Sequence, residues 1–315
     1  MTVEAAARDI RAEVAKAISG QERTVEQVLA AILADGHVLL EGVPGVAKTL
    51  LVRSMAQVLG LGFGRVQFTP DLMPSDVLGT SVLNPRTNDF EFRPGPIFTS
   101  ILLADEINRT PPKTQSALLE AMEERRVTVD GITHPLPPPF LVFATQNPLD
   151  FEGTYPLPEA QQDRFLLKVL VDYPAPASEI EVLRRHHVGF TPQRLEAVGL
   201  RSLLTIQDLE GLREEVRATT VEDKVFDYIY GIVSATRRHE DLTAGASPRA
   251  GIALLNVSKS VARLRGRDYV IPDDVKELAV PVLRHRLLLR PESEVEGVTT
   301  DRVLADLLEA QTVPR

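Results

Sequence analysis

The chain has 315 residues, 43% of them hydrophobic, with 35 basic against 44 acidic side chains and a net charge of −9. That length suffices for one large or two ordinary domains with their own cores, and the acidic balance counts against a nucleic-acid backbone as partner. With no Cys, disulfides, thiolate zinc sites and a cysteine nucleophile are excluded together, and the six His, at 37, 134, 186, 187, 239 and 285, show no metal-ligand spacing.

The first stretch, MTVEAAARDIRAEVAKA, is charged and helical in pattern, unlike a signal peptide, and no run of about eighteen apolar residues follows, so no transmembrane segment and a cytoplasmic location are expected. An α/β class with a parallel sheet is expected over residues 1–175, because short apolar runs alternate there with helical patterns. The candidate strands are His37 to Leu40, Val66 to Phe68, Ile101 to Ala104, Leu141 to Thr145 and Phe165 to Val171. Two β-hairpins are expected as insertions, at about 80–95, where Ser81 to Leu83 faces Phe90 to Phe92, and at about 126–136 around the turn pair Asp130-Gly131. Between the hairpins, Pro111 and Pro112 open a helix through Met122. The bridge DYPAPASE then reads as a linker, and residues 176–290 read as a small all-helical domain, with helices near 178–187, 205–218, 221–239, 248–265 and 272–289 and no strand. A tail over 291–315 holds a loop and a short helix near 299–310.

Chemistry is carried first by EGVPGVAKTL. Gly42, Lys48 and Thr49 have the spacing of a phosphate-binding loop, with Ala47 where that pattern has a second glycine. Strand before and helix after supply the context, so the backbone of Gly42, Val43, Pro44, Gly45, Val46, Ala47, Lys48, Thr49 and Leu50 is expected to wrap a nucleotide's phosphates. Lys48 would bridge the β- and γ-oxygens, and Thr49 would hold magnesium. Ala47 keeps its N–H donor; it loses glycine's freedom at φ, a strain of roughly 1 to 2 kcal/mol, and its Cβ must point away from the phosphates. Asp105 and Glu106 end the strand ILLAD, so Asp105 is expected on the metal with Thr49, and Glu106 on the attacking water.

Three further matches complete an ordered set: Asn147 in LVFATQNPLD, Arg164 in LPEAQQDRF and Arg249 in GASPRAGIALL. From the residues alone, Asn147 before Pro148 could be a turn former and Arg164 beside Asp163 a local ion pair. Together with GVPGVAKT and LLADEINR, these motifs resemble the AAA+ ATPases, specifically the MoxR family, over roughly residues 10–290. The resemblance implies an αβα nucleotide-binding domain followed by a helical lid, and Mg-dependent hydrolysis of ATP to ADP and phosphate. It makes Lys48 and Thr49 the Walker A pair, Asp105 and Glu106 the Walker B pair and Asn147 the sensor 1 residue. Arg164 becomes an arginine finger entering a neighbouring subunit's site, and Arg249 a sensor 2 residue reaching the γ-phosphate from the lid. It further implies a homo-oligomeric, hexameric ring, chaperone-like remodelling or metal-cofactor maturation of a client protein, and a partner with a von Willebrand factor A domain. A metal-chelatase-type motor subunit and a nucleic-acid motor of the same clade are the alternatives.

Overall fold

The computed structural model describes residues 1–148, 154–191 and 195–314. Two helices lead, α1 (Val3–Val14), capped by the Thr2 side chain on the Ala5 N–H, and α2 (Glu22–Leu33). Next come β1 (His37–Glu41), α3 (Lys48–Val58), β2 (Phe63–Gln67), α4 (Pro74–Leu78), and the strands β3 (Gly79–Asn84) and β4 (Asp89–Pro94). The chain continues through β5 (Ile101–Asp105), α5 (Pro112–Glu124), β6 (Arg126–Val129), β7 (Ile132–Pro135), β8 (Leu141–Gln146), α6 (Glu159–Gln162) and β9 (Phe165–Leu170).

Five of these strands form one parallel sheet in the order β2-β5-β8-β1-β9. Because side chains alternate across a strand, β1 sends Val38 and Leu40 to one face and Leu39 to the other. The first face joins Leu103 and Phe143 to α1, α2, α3 and the C-terminal helices in one apolar core. The second joins Leu102, Val142 and Phe165 to Val77, Leu118 and Met122 of α4 and α5. Burial on both faces is why the central strands read as unbroken apolar runs. After β1 the chain crosses to the sheet's edge, works back through β5 and β8, and then places β9 on the far side of β1. The carboxyl ends of β1, β5 and β8 therefore meet at the switch in strand order, where α/β sheets bind ligands.

Both hairpins lie outside this sheet. Val129 pairs with Ile132, leaving Asp130 and Gly131 as a two-residue turn with φ of 50° and 78°, the type I′ geometry. In the other, Ser81 pairs with Phe92 and Leu83 with Phe90. The two hairpins touch where the Phe92 ring stacks on His134, with centroids 3.9 Å apart.

The second half is helical: α7 (Pro176–His187), α8 (Leu195–Val198), α9 (Ile206–Arg217), α10 (Asp223–Thr236), α11 (Pro248–Leu264) and α12 (Pro272–Leu283), then α13 (Pro291–Val295) and α14 (Thr300–Ala310). Proline in the first turn starts α7, α11, α12 and α13, and Thr205 with Asp208 forms a reciprocal cap on α9. The short helices α8 and α13 fall where the sequence led to no helix, and two further features depart from the sequence expectation. A small antiparallel ladder joins β10 (Leu242–Ala244) to β11 (Leu288–Leu289), strands too short for an alternation to register in the sequence. The second is that α12 stops at Leu283 and does not run to 289: the chain turns there, and Arg286, 8% exposed, reaches back to the sheet.

That arginine fastens the C-terminal helices to β9. Its Nε donates to Asp163 Oδ1 at 2.6 Å, and its Nη atoms donate to the carbonyls of Phe165 (2.6 Å) and Leu166 (3.2 Å). His285 Nε2 shares the Phe165 carbonyl at 2.9 Å. A buried guanidinium is tolerable only when such partners surround it.

Candidate active site

A cleft of about 860 Å³ opens at the carboxyl ends of β1, β5 and β8. The loop from Pro44 to Leu50 forms its floor, and Asp105, Glu106 and Asn147 stand on the facing strand ends. Local geometry accounts for each residue type in the loop. A Cβ on Gly42 would lie 2.3 Å from the carbonyl oxygen of Val171, so that position must be glycine for the loop to pass β9. Gly45 turns the chain at φ 92°. Ala47 is left-handed, at φ 64° and ψ 23°, the conformation in which a second glycine would be expected. The alanine therefore carries the strain that the sequence implied, and α3 begins at the next residue, aiming its N-terminal end into the cleft.

The Lys48 ammonium folds over its own loop, donating to the carbonyls of Gly42 and of Val43, the latter at 3.0 Å. Burial lowers its pKa, while Asp105, Glu106 and Glu41 act in the opposite direction. Thr49 Oγ1 donates to Asp105 Oδ2 at 3.3 Å. A hydroxyl and a carboxylate oxygen converging there are hard donors of the type Mg²⁺ takes together with nucleotide phosphates. Among the described residues no group of three His, Asp or Glu side chains could hold a metal ion by itself.

Thr145 on β8 holds both acids. Its hydroxyl donates to Asp105 Oδ1 at 2.6 Å and accepts the Glu106 backbone N–H at 2.8 Å. Glu106 is left-handed, at φ 57° and ψ 49°, a conformation costing a non-glycine residue about 1 to 3 kcal/mol. Its carboxylate is steered by Gln67 Nε2 at 2.8 Å and Arg109 Nε at 3.2 Å. Arg65, also on β2, donates to Asp105 Oδ2 through Nε (3.0 Å) and Nη2 (2.7 Å). Asn147, 9% exposed, lies two residues beyond Thr145 on the cleft wall. The far end is apolar: Ala17, Ile18, Tyr173, Val182, Leu183 and Phe190 offer a surface suited to a flat ring.

Sequence reasoning missed Arg65, Gln67 and Thr145, since nothing in a strand marks which neighbour it will face. It also missed the apolar end. A signal existed in Ile180, Val182 and Leu183, apolar residues of a helix that buries no residue at all.

Arg164 and Arg249 are not brought to this cleft; neither is among its lining residues. The structure brings them to each other. Arg164, just before β9, meets Glu123 Oε2 through Nε (3.0 Å) and Nη2 (2.9 Å), and Arg249, in the first turn of α11, donates from Nη2 to Glu123 Oε1 at 2.8 Å. The local pair of Arg164 with Asp163 does not form, because Asp163 is engaged by Arg286 and by the Ser247 hydroxyl at 3.3 Å. In this arrangement Arg249 is held at Glu123 and does not line the cleft of its own chain.

Residues 37–167 match the family model described as the ATPase family associated with various cellular activities, and residues 234–307 match the AAA lid domain. The chain is 46% identical to Chaperone MoxR1 of Mycobacterium tuberculosis, covering 96% of this chain and 81% of that protein. It is 51% identical to the uncharacterized protein YeaC of Bacillus subtilis (91% and 88%) and 31% identical to Protein MoxR of Paracoccus denitrificans (91% and 90%). A solved structure of a candidate ATPase from Cytophaga hutchinsonii superposes with a TM-score of 0.91 at 41% identity, covering 99% of this chain and 96% of that one. With a phosphate loop, paired acids on the next strand but one, a helical lid and relatives matched along nearly their whole length, the chain belongs to the MoxR family of AAA+ ATPases.

Proposed function

We propose that the protein hydrolyses Mg-ATP in a ring of identical chains and uses the cycle to remodel a client protein. Lys48 and the loop amides bind the β- and γ-phosphates, Thr49 and Asp105 hold the metal, and Glu106 with Asn147 orients water opposite the leaving oxygen. The water oxygen forms its bond to the γ-phosphorus as the bond to the β,γ-bridging oxygen breaks. ADP leaves with that electron pair, and Glu106 takes the proton from the water. The metal, when bound, supplies charge neutralisation on the phosphate oxygens.

One observation carries the ring: Arg164 and Arg249 share Glu123, outside the cleft that holds Lys48, Asp105 and Glu106. Each chain would bring a phosphate cradle on one side and two guanidinia on another, so a complete site needs two copies. This extends the role expected of Arg164 to Arg249 as well. The name of the Mycobacterium tuberculosis relative supports a chaperone-like output. The resemblance of the motifs supports a hexamer, cofactor maturation as one form of the output, and a von Willebrand factor A domain partner, and the charged, helical pattern of MTVEAAARDIRAEVAKA supports a cytoplasmic site of action. No helix among the described residues is long and apolar enough to cross a membrane. We place the division between nucleotide domain and lid near residue 175, on the composition of the bridge 172–179.

The test is a mixing experiment. A transition-state arginine is worth about a thousandfold in rate, so Arg164→Ala and Glu106→Gln should each be nearly inactive alone while binding ATP. Mixed under conditions shown to exchange subunits, they should regain turnover, because some junctions combine an intact Glu106 with an intact neighbouring Arg164. Turnover that stays flat at every mixing ratio sinks the shared site.

A further inference from the structure

We infer that Glu123 is the positioning residue of the arginine side: one carboxylate, on the last turn of α5, sets two guanidinia from different parts of the chain as a pair facing the neighbouring copy. This rests on the shared-site reading above and adds to it a residue that is in neither motif. Glu123 gives one oxygen to each arginine, Oε2 to Arg164 and Oε1 to Arg249, across 41 and 126 positions of sequence. Stability is a poor reason for such a triad. All three side chains are partly exposed, and ion pairs in that setting contribute little to folding.

Geometry gives a better one. Two guanidinia close together repel, and each is carried on a long, flexible stem. A carboxylate between them cancels the repulsion and fixes both forks at once. The backbones beneath are held separately, since Asp163 takes Arg286 from the turn after α12 and the Ser247 hydroxyl from the turn before α11. Asp163 thus locks core to lid, and Glu123 aligns what that lock presents. A phosphoryl group in transfer spreads its charge over three equatorial oxygens, a target that two fixed cations match better than one. The same pairing raises the Arg249 pKa and lowers that of Glu123, so it favours the charged form of both.

The experiment is a mutant cycle on the full chain under ring-forming conditions. Glu123→Ala is expected to lower turnover by about tenfold, with KM for ATP and melting temperature nearly unchanged, the pattern of a contact used in the transition state. Glu123→Gln keeps the size and one acceptor oxygen, so it should lose less, roughly threefold, and it serves if the alanine variant fails to assemble. Placed in an Arg164→Ala, Arg249→Ala background, Glu123→Ala should cost nothing further, because residues acting as one unit are not additive. An undiminished turnover in the single variant overturns the inference. So does an equal further loss in the arginine-less background, which would place the action of Glu123 elsewhere. Failure of the shared-site reading looks different: there Arg164→Ala and Glu106→Gln would restore no turnover at any mixing ratio, whatever Glu123→Ala does.

Discussion

The phosphate side and the arginine side of this molecule are built in opposite ways. Lys48 and Thr49 sit on one loop, and Asp105 and Glu106 are consecutive, so two short segments and a parallel sheet bring the cradle together. Arg164, Arg249 and Glu123 come from three segments and meet only because α5, β9 and α11 pack as they do. The first side is complete within one chain. The second lies outside that cleft, and on the shared-site reading it can be tested only with a second copy present. Lesions in the two sides should therefore separate by whether binding or turnover fails.

Lys48→Ala should break the phosphate side most plainly. It removes a charge-assisted contact to the phosphates, and a loss of about a hundredfold in ATP affinity is expected. Calorimetry on dilute protein suffices, since no neighbour is involved; affinity retained within about twofold would remove Lys48 from the phosphates. Arg249→Ala should do the converse. Dilute, unassembled protein should keep its ratio of ATP to ADP affinity within about twofold, while turnover of the assembled protein falls by about tenfold. A ratio that narrows in the dilute protein would return Arg249 to its own cleft and erase the contrast between the sides.

The difference also decides what could be read from the sequence. All five strands of the sheet, both hairpins and the phosphate loop are local patterns: apolar runs, an Asp-Gly turn, a spacing of lysine and threonine. Residues whose meaning depends on what lies across a strand or helix gave no such signal. Thr145 is one residue in an apolar strand until β8 lies beside β5 and its hydroxyl reaches both acids. Glu123 looks like one more charge in a helix end. The ladder of β10 and β11 is too short to have a period, and the early stop of α12 follows from a long-range contact of Arg286.

Acid should loosen the fold through two buried histidines. His37 accepts the Val142 N–H at Nδ1 (2.9 Å), so Nε2 carries the proton, facing the Met122 carbonyl at 3.3 Å. A second proton on Nδ1 would meet another N–H; burial first, then Arg125, lower this pKa from 6.5 to about 3. His285, beside β9, is lowered well below its ordinary value mainly by burial, with Arg286 adding to it. Both pKa values are depressed on folding, so the unfolded chain binds more protons below pH 6.5. For His37 the stability is present above that pH and is lost as pH falls toward 3, at about 1.4 kcal/mol per pH unit. Urea midpoints measured from pH 7 to 5 should fall accordingly. In His37→Gln, where an amide can accept from Val142 and donate to Met122, the slope should flatten by one histidine's share. An unaltered slope would mean that His37 is not the group taking up the proton.

The smallest effect is expected at Ala47, and it sharpens what the cradle requires. Its φ of 64° costs a side chain that glycine would not pay, while glycine loses more chain entropy on folding, and the two terms are each about 1 kcal/mol. Ala47→Gly should therefore shift the unfolding free energy by less than about 1 kcal/mol in either direction. Nucleotide affinity should move by no more than about twofold, because the backbone N–H that would be offered to the phosphates is the same in both residues. Ala47→Val provides the contrast: a β-branched side chain is far more restricted at positive φ, so loop geometry and affinity should suffer together. If Ala47→Gly instead raised ATP affinity tenfold, the alanine methyl would have been pressing on the phosphates. The loop would then hold its substrate under strain, and the Cβ would have to point into the cleft.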